Sequence, residues 1–426
     1  MSSSSFPVDA IRRQFPGLQH DTGFIFFDNA AGAQIPGRVL EAVTTHLTRR
    51  NVQRGGVYRH SREVDETIAR ARESVAAFVH ASGADEISFG LNATSFIRSI
   101  SLAVGQALGD RREIVVTDLD HEANVATWLA LERYGARPVW WRVRADARLH
   151  VEDLEPLVNE RTRLVAGTMA SNATGTRVDI AAAARIAHRV GAELFVDAVH
   201  FGPHGPIDVQ ALDADYLVCS GYKIFSPHMG FAWCRRDAIN RLPTFREDFI
   251  PDVTPDKLEA GTYAYENVAG MDAVVAYLED LTSGDASAQP SRTARIHRAL
   301  TDIADYERGL AASVLDVIKS IPGSTVHGVQ EPVGRVPTFA FTVEGVSSAA
   351  IAVELARRDI GVRSGHMYAP RLMRRLNAGP DGVVRASLVH YNTAAEIARF
   401  GSALTEIVET LRPTRPRDVA ATPARQ

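Results

Sequence analysis

Three lysines occur in the 426 residues, Lys223, Lys257 and Lys319, against 44 arginines. Chemistry that requires a side-chain primary amine therefore has three candidates. Lys223 is set apart by its surroundings: it ends Ser220-Gly221-Tyr222-Lys223, directly after the largely apolar run Asp215 to Cys219, and Ser226, Pro227 and Gly230 mark a loop beyond it. The preceding apolar run, Leu194-Phe195-Val196, ends in Asp197. A lysine forms a Schiff base with an aldehyde, and a carboxylate facing a pyridine nitrogen keeps it protonated, so that the ring draws electrons from a carbanion. Pyridoxal phosphate chemistry uses both groups. The simpler readings are a surface ammonium for Lys223 and a cap of the following loop or helix for Asp197.

An aldehyde cofactor that carries a phosphate also needs an anion cradle. Gly90-Leu91-Asn92-Ala93-Thr94-Ser95 joins the strand-like Glu86 to Phe89 to a helical pattern from Phe96 to Leu108. A hydroxyl-rich turn there offers free backbone N–H groups and the positive end of a helix dipole, although an ordinary N-cap has the same pattern. No Gly-x-Gly-x-x-Gly follows the early strands and no Walker loop occurs, so dinucleotide and nucleoside-triphosphate readings lose their usual support. His200 and His204 could suggest a metal, but Gly202 and Pro203 between them break any helical pair of ligands. No metal is expected.

These residues need a scaffold that brings strand ends together. Short β-branched runs at Glu113 to Thr117, Pro138 to Val143, Leu164 to Thr168, Leu194 to Asp197 and Tyr216 to Cys219 alternate with helical patterns such as Asn124 to Tyr134 and Ile180 to Val190. The alternation predicts a mostly parallel sheet with helices on both faces. Ligands of such sheets bind at the carboxyl ends of the strands. After about Asp280 the texture changes: a Ser/Gly/Asp-rich stretch from Thr282 to Ser291 reads as a surface loop, and a long helical pattern, Arg295 to Ile321, follows. Then come extended runs at Thr338 to Val343 and Gly361 to Ser364, with helices near Ala349 to Arg358 and Thr393 to Leu411. We expect residues 1–20 to form an N-terminal segment with Met1 to Phe6 as a loose end, 21–285 a large cofactor-binding domain, 286–411 a smaller α+β domain, and 412–426 a disordered tail.

Composition removes other classes. Lys and Arg total 47 against 51 Asp and Glu, a formal net charge of −4, and without a basic block nucleic-acid binding is not expected. No run approaches the ~18 apolar residues of a membrane span, and the N-terminus lacks a signal-peptide core. Two cysteines, Cys219 and Cys234, cannot make a disulfide framework, so the expected compartment is the cytoplasm.

Further segments follow in order: Phe27-Asp28-Asn29-Ala30-Ala31, Asp120-His121-Glu122-Ala123-Asn124, Ser171-Asn172-Ala173-Thr174-Gly175-Thr176, Val196-Asp197-Ala198-Val199-His200, Ser220-Gly221-Tyr222-Lys223, Glu259-Ala260-Gly261-Thr262 and Val384-Arg385-Ala386-Ser387. In this order, from about Phe26 to Arg399, they resemble the class V aminotransferase family of pyridoxal phosphate enzymes, the branch of cysteine desulfurases and selenocysteine lyases. The resemblance implies an α/β fold of fold type I, a large domain with a mostly parallel seven-stranded sheet and a smaller α+β C-terminal domain. It implies pyridoxal 5'-phosphate as cofactor, with Lys223 as the Schiff-base lysine and proton carrier, Asp197 paired with the ring nitrogen and His121 stacked on the ring. Ala93, Thr94 and Ser220 would hold the phosphate, and Asn172, His200 and Tyr222 would line the cofactor. Arg385 would clamp the substrate α-carboxylate, with Asn172, Arg363 and His366 beside it. Thr262 would reach the phosphate of a neighbouring subunit, so a homodimer with shared active sites is implied.

Two kinds of departure from the family pattern decide the expected activity. Desulfurases carry a nucleophilic cysteine in a loop reading Arg-x-Gly-His-x-Cys, and this chain reads Arg363-Ser364-Gly365-His366-Met367-Tyr368. Without a thiolate at Tyr368 there is no persulfide route. The other departures are His200 for Gln and Tyr222 for His; His200 can still bond the cofactor's phenolic oxygen, but its ionisation would make that contact pH-sensitive. The expected function is a carbon–sulfur β-lyase acting on a cysteine S-conjugate or related sulfur amino acid, with Lys223, His121 and Tyr368 as catalytic candidates and Tyr58 and His60 as further acid/base or substrate-shaping groups. Transamination, epimerisation and decarboxylation are the alternatives within the family. A non-catalytic scaffold is the alternative outside it, and retention of Lys223, Asp197, Asn172 and Arg385 argues against that.

Overall fold

A computed structural model describes residues 6–281 and 291–412. The expectations for Met1 to Ser5, for Thr282 to Pro290 and for the tail after Arg412 lie outside these residues.

Seven strands form the main sheet: β2 (Ile87–Gly90), β3 (Glu113–Thr117), β4 (Arg137–Trp141), β5 (Thr162–Thr168), β6 (Glu193–Asp197), β7 (Tyr216–Ser220) and β8 (Gly230–Cys234). Their spatial order is β2-β8-β7-β6-β5-β3-β4. Every pairing from β7 to β4 is parallel, and β8 alone runs against both its neighbours. Successive residues of a strand point to opposite faces, and the two apolar layers show it. Leu194, Val196, Leu217 and Cys219 pack into one layer, whereas Phe195, Tyr216 and Val218 pack into the other. Burial on both faces is why these strands read as continuous apolar runs rather than alternating ones.

Two further sheets stand beside this one. β9 (Ser324–His327), β10 (Thr338–Val343), β12 (Arg363–Gly365) and β13 (Val383–Ser387) form an antiparallel sheet in the order β12-β13-β10-β9, and β1 (Ile25–Phe26) pairs in parallel with β11 (Ile360–Gly361). A second core gathers Phe339, Phe341, Val384 and Ala386 with Ile397, Phe400 and Leu404 of the last helix, Ala394–Leu411. Ile25 and Phe27, early in the chain, pack into this second core. The long helix Arg292–Ser320 belongs to both cores: Ile296, Leu300 and Ile303 pack in the first, Leu310, Val314 and Ile318 in the second.

Element ends differ from the sequence reading by local chemistry. The helix after His121 is α-helical over Ala123–Leu129 and tightens to a 3-10 turn through Tyr134, ended by Gly135 at φ 90°. The strand expected over Pro138 to Val143 lies at Arg137–Trp141. Phe6 is not loose: its ring stacks on Tyr306 with centroids 4.4 Å apart. Ile11, Phe15 and Leu18 likewise enter the first core.

Candidate active site

The carboxyl ends of the parallel strands surround a cleft of about 440 Å³, lined among others by Ala93, Thr94, His121, Asn172, Asp197, His200, Ser220, Tyr222 and Lys223. Five strands and one helix start position them, Asn172 following β5. β6 ends at Asp197 and β7 at Ser220, a short 3-10 turn carries Tyr222 and Lys223, β2 leads into the helix Ala93–Gln106, and His121 follows β3.

At the helix start, Asn92 and Ser95 form a capping box, so the Ser95 N–H is already satisfied by the Asn92 side chain. The Ala93 N–H donates to Ser220 Oγ at 3.1 Å, which ties the helix to β7. The Thr94 N–H has no intrahelical acceptor, and Thr94 lines the cleft. Gly230 permits this approach, because a Cβ there would stand 2.5 Å from the Asn92 carbonyl carbon. Gly175 plays the same part in the turn from Ser171 to Thr176: its φ is +74°, and a Cβ would come within 2.5 Å of the Thr338 carbonyl oxygen.

Burial decides the charge states. Lys223 donates to the Ala30 carbonyl at 2.7 Å, and burial, aided by nearby Arg385, lowers its amine to about 8. A neutral amine is the nucleophilic form. Asp197 is buried with the Val199 N–H as its hydrogen bond, and burial raises its carboxyl to about 6. His121 is held neutral, its pKa lowered to about 4 by burial and then by the charge of Lys223. Its Nδ1 accepts the Ala123 N–H at 3.1 Å, which leaves the proton on Nε2. His200 corrects an expectation: burial and the neighbouring His204 push its pKa well below the usual value, so the ring is neutral and its contact does not titrate near neutrality. Its Nε2 meets Thr338 Oγ1 at 3.0 Å.

The loop carrying Tyr368 is tied to two segments of the cleft. Met367 and Tyr368 both have positive φ, 52° and 55°. Asn172 Nδ2 donates to the Met367 carbonyl at 2.6 Å and the Glu122 N–H donates to the Tyr368 carbonyl at 2.8 Å. These bonds set the Tyr368 ring 5.7 Å from that of His121, 55% exposed.

The remaining candidates are placed differently. Arg385 lines β13 behind the cleft, 2% exposed; it donates to the Asn172 carbonyl at 2.9 Å and to Asp28 at 2.8 Å, while its Nε has no acceptor. Arg363 grips the same Asp28 at 2.7 and 3.0 Å. His366 is exposed and its Nδ1 accepts the Tyr368 N–H. Thr262 is exposed, outside the cleft, and accepts a hydrogen bond from Gln53. Tyr58 and His60 are likewise not among the residues lining it. Both cysteines are buried in strands: burial raises the Cys219 thiol to about 12 and pushes Cys234 up as well.

Sequence reasoning missed Asp28 as the shared partner of two arginines, Thr168 in the cleft wall, Thr338 beside His200, and Asp120. Burial raises the Asp120 carboxyl to about 7; it accepts from Thr117 Oγ1 and from Asn124, which in turn accepts from Trp128. Asp120 had a local signal in its place beside His121, and Thr168 in its place at the end of β5.

A family model, aminotransferase class V, matches residues 25–400. The chain belongs to this family. An aminotransferase-like protein of Gibberella zeae is 36% identical over 422 residues, 96% of this chain and the whole of the relative. A cysteine desulfurase of an Enterobacter species is 32% identical over 425 residues, covering 95% of this chain and 98% of its own. The crystal structure of an Escherichia coli cysteine desulfurase superposes with a TM-score of 0.83 at 27% identity, over 96% of this chain and 100% of that one. Class V aminotransferases use pyridoxal phosphate, and the cleft fits it: a buried carboxylate, Asp197, at the end of β6, an Asn172 Oδ1 with no partner, and a lysine amine lowered to about 8. The chain is a pyridoxal-phosphate-dependent enzyme with the fold type I architecture. Among the described residues no helix is long and apolar enough to cross a membrane.

Proposed function

We propose that this class V enzyme removes the α-proton of a sulfur-containing α-amino acid and expels its β-substituent as a thiol, without forming a persulfide. The observation that carries this reading is Tyr368 beside His121 at the mouth, with both cysteines buried in the sheet and their thiols held protonated. A desulfurase needs a thiolate that attacks the substrate sulfur, and no cysteine is in reach to supply one.

The bound cofactor supplies an aldehyde for the substrate amine and an electron-withdrawing ring. Lys223 would hold it, Asp197 would keep its ring nitrogen protonated, and His121, neutral, would stack on its face. Ala93, Thr94 and Ser220 would receive the phosphate, with Asn172, His200 and Tyr222 along the ring edge. Arg385, with Arg363 beside it, would receive the substrate α-carboxylate, a planar match for a guanidinium fork. Asp28 now holds both arginines in place for it. The neutral Lys223 amine takes the Cα proton, the Cβ–S bond breaks with its electron pair leaving on sulfur, and the thiolate gains a proton. Hydrolysis of the remaining enamine gives pyruvate and ammonia.

The exposed Thr262 fits a homodimer in which it faces the second copy's phosphate, and two buried free cysteines suit the cytoplasm. Incubating the holoenzyme with S-alkyl cysteines and with free cysteine tests the reading. Stoichiometric pyruvate, ammonia and thiol from the S-alkyl compounds support it; persulfide or alanine from free cysteine at comparable turnover overturns it.

A further inference from the structure

The carboxyl ends of β3 and β4 hold a second cleft of about 640 Å³, walled by Asp118, Trp140, Arg142, Arg371, Arg374 and Arg375. Arg142 and Arg371 each lay a guanidinium on the Trp140 ring, 5.1 and 5.2 Å from its centroid. The acids here are too few to balance the arginines. Asp118 accepts the Val143 N–H through Oδ1, its Oδ2 is buried without a hydrogen bond, and Arg142 and Arg375 stand 3.6 and 3.9 Å from it. Glu122 takes both forks of Arg371 at 3.1 and 3.0 Å. Arg374 is exposed and has no ion pair among the described residues. Four arginines thus face two carboxylates, in a chain whose formal net charge is −4.

Residues of the two clefts lie on the same two segments. Asp118 and His121 sit on one turn after β3, the Glu122 N–H holds the Tyr368 carbonyl, and Arg371 follows on the short helix Pro370–Arg375. Glu122 thus links the two sites, its backbone bonded to the loop of Tyr368 and its side chain to Arg371.

We infer that the arginine cleft recognises a carboxylate at the far end of the substrate's sulfur substituent, an inference that rests on the lyase reading. Guanidinium forks pair with carboxylates in bidentate geometry, and a surplus of positive charge beside a reaction cleft raises the local concentration of anionic substrate. An uncharged tail gains neither. The selected substrates are cysteine S-conjugates with an acidic tail.

Rapid-mixing titration of the cofactor band in the holoenzyme, read before turnover, compares S-(3-carboxypropyl)cysteine with S-butylcysteine. The acidic conjugate is expected to bind at least about tenfold tighter at low ionic strength, with the margin shrinking as salt screens the arginines. In the double variant Arg142→Gln, Arg374→Gln the margin falls to about twofold, with melting temperature and cofactor content checked against the parent. Equal affinities in the parent, or an equal loss for both compounds in the variant, overturn the inference. Tight binding of the acidic conjugate without pyruvate release supports it while sinking the lyase reading. Pyruvate release with no preference does the reverse.

Discussion

Arg385 reaches Asp28 at 2.8 Å across a separation of 357 residues. One carboxylate just after β1 thereby fixes a buried guanidinium on β13. Replacing Asp28 by Ala leaves that cation in a dry setting without its counterion, which costs about 3 kcal/mol, the low end for a broken buried pair because Asp28 is partly exposed. Asp28→Asn, which keeps an acceptor, is expected to cost less. Urea unfolding of the two variants checks the order.

The Lys223 amine, lowered to about 8, sets how fast the apoenzyme takes up cofactor. The reactive form is neutral, so the loading rate rises roughly tenfold per pH unit below 8 and levels above it. The growth of the cofactor absorption band across pH 6 to 10 measures this. Lys223→Ala shows no such band, and a flat profile would refute the assignment.

Asp197 provides a stability signature of its own. Its carboxyl is raised from 3.8 to about 6 in the fold. The folded apoenzyme therefore holds this proton more tightly than the unfolded chain, and the stabilisation, present below pH 3.8, is lost as pH rises through 6, by about 3 kcal/mol. Asp197→Asn removes the Asp197 share of that slope and leaves the share of Asp120, whose carboxyl burial raises to about 7. Thermal unfolding of the apo forms from pH 4 to 7 tests the difference.

Thiol chemistry separates this chain from an enzyme with a loop cysteine. Cys219 and Cys234 are buried, with protonated thiols. The native protein is expected to show no fast-reacting thiol toward a chromogenic disulfide, and two after denaturation, with turnover of S-alkyl cysteines unaffected by alkylating agents.

Gly230→Ala is a steric test of the phosphate end. The added methyl would press on the Asn92 backbone and push the start of the helix Ala93–Gln106 from β7. Cofactor affinity is expected to fall by at least about tenfold, since an N-terminal anion site depends on backbone position. Equilibrium dialysis measures it.

The main sheet was legible because its strands are buried on both faces, and β-branched runs ending in Asp197 and Ser220 advertise themselves. Lys223, Asp197 and the turn at Ala93 were legible because each sits next to its own strand end, whereas His121 came only from the resemblance of its segment to the family's. What escaped had no local signature. Thr338 reaches His200 over 138 residues, and Asp28 reaches Arg363 over 335. The charge of His200 escaped as well, since only the packed surroundings of His204 and Lys223 show that its ring stays neutral.

The helix Arg292–Ser320 gives the molecule a mechanical spine. Because its first turns are embedded in one core and its last in the other, loss of either core strips half its packing. The two halves are expected to melt together, as one calorimetric peak whose enthalpy matches the whole chain.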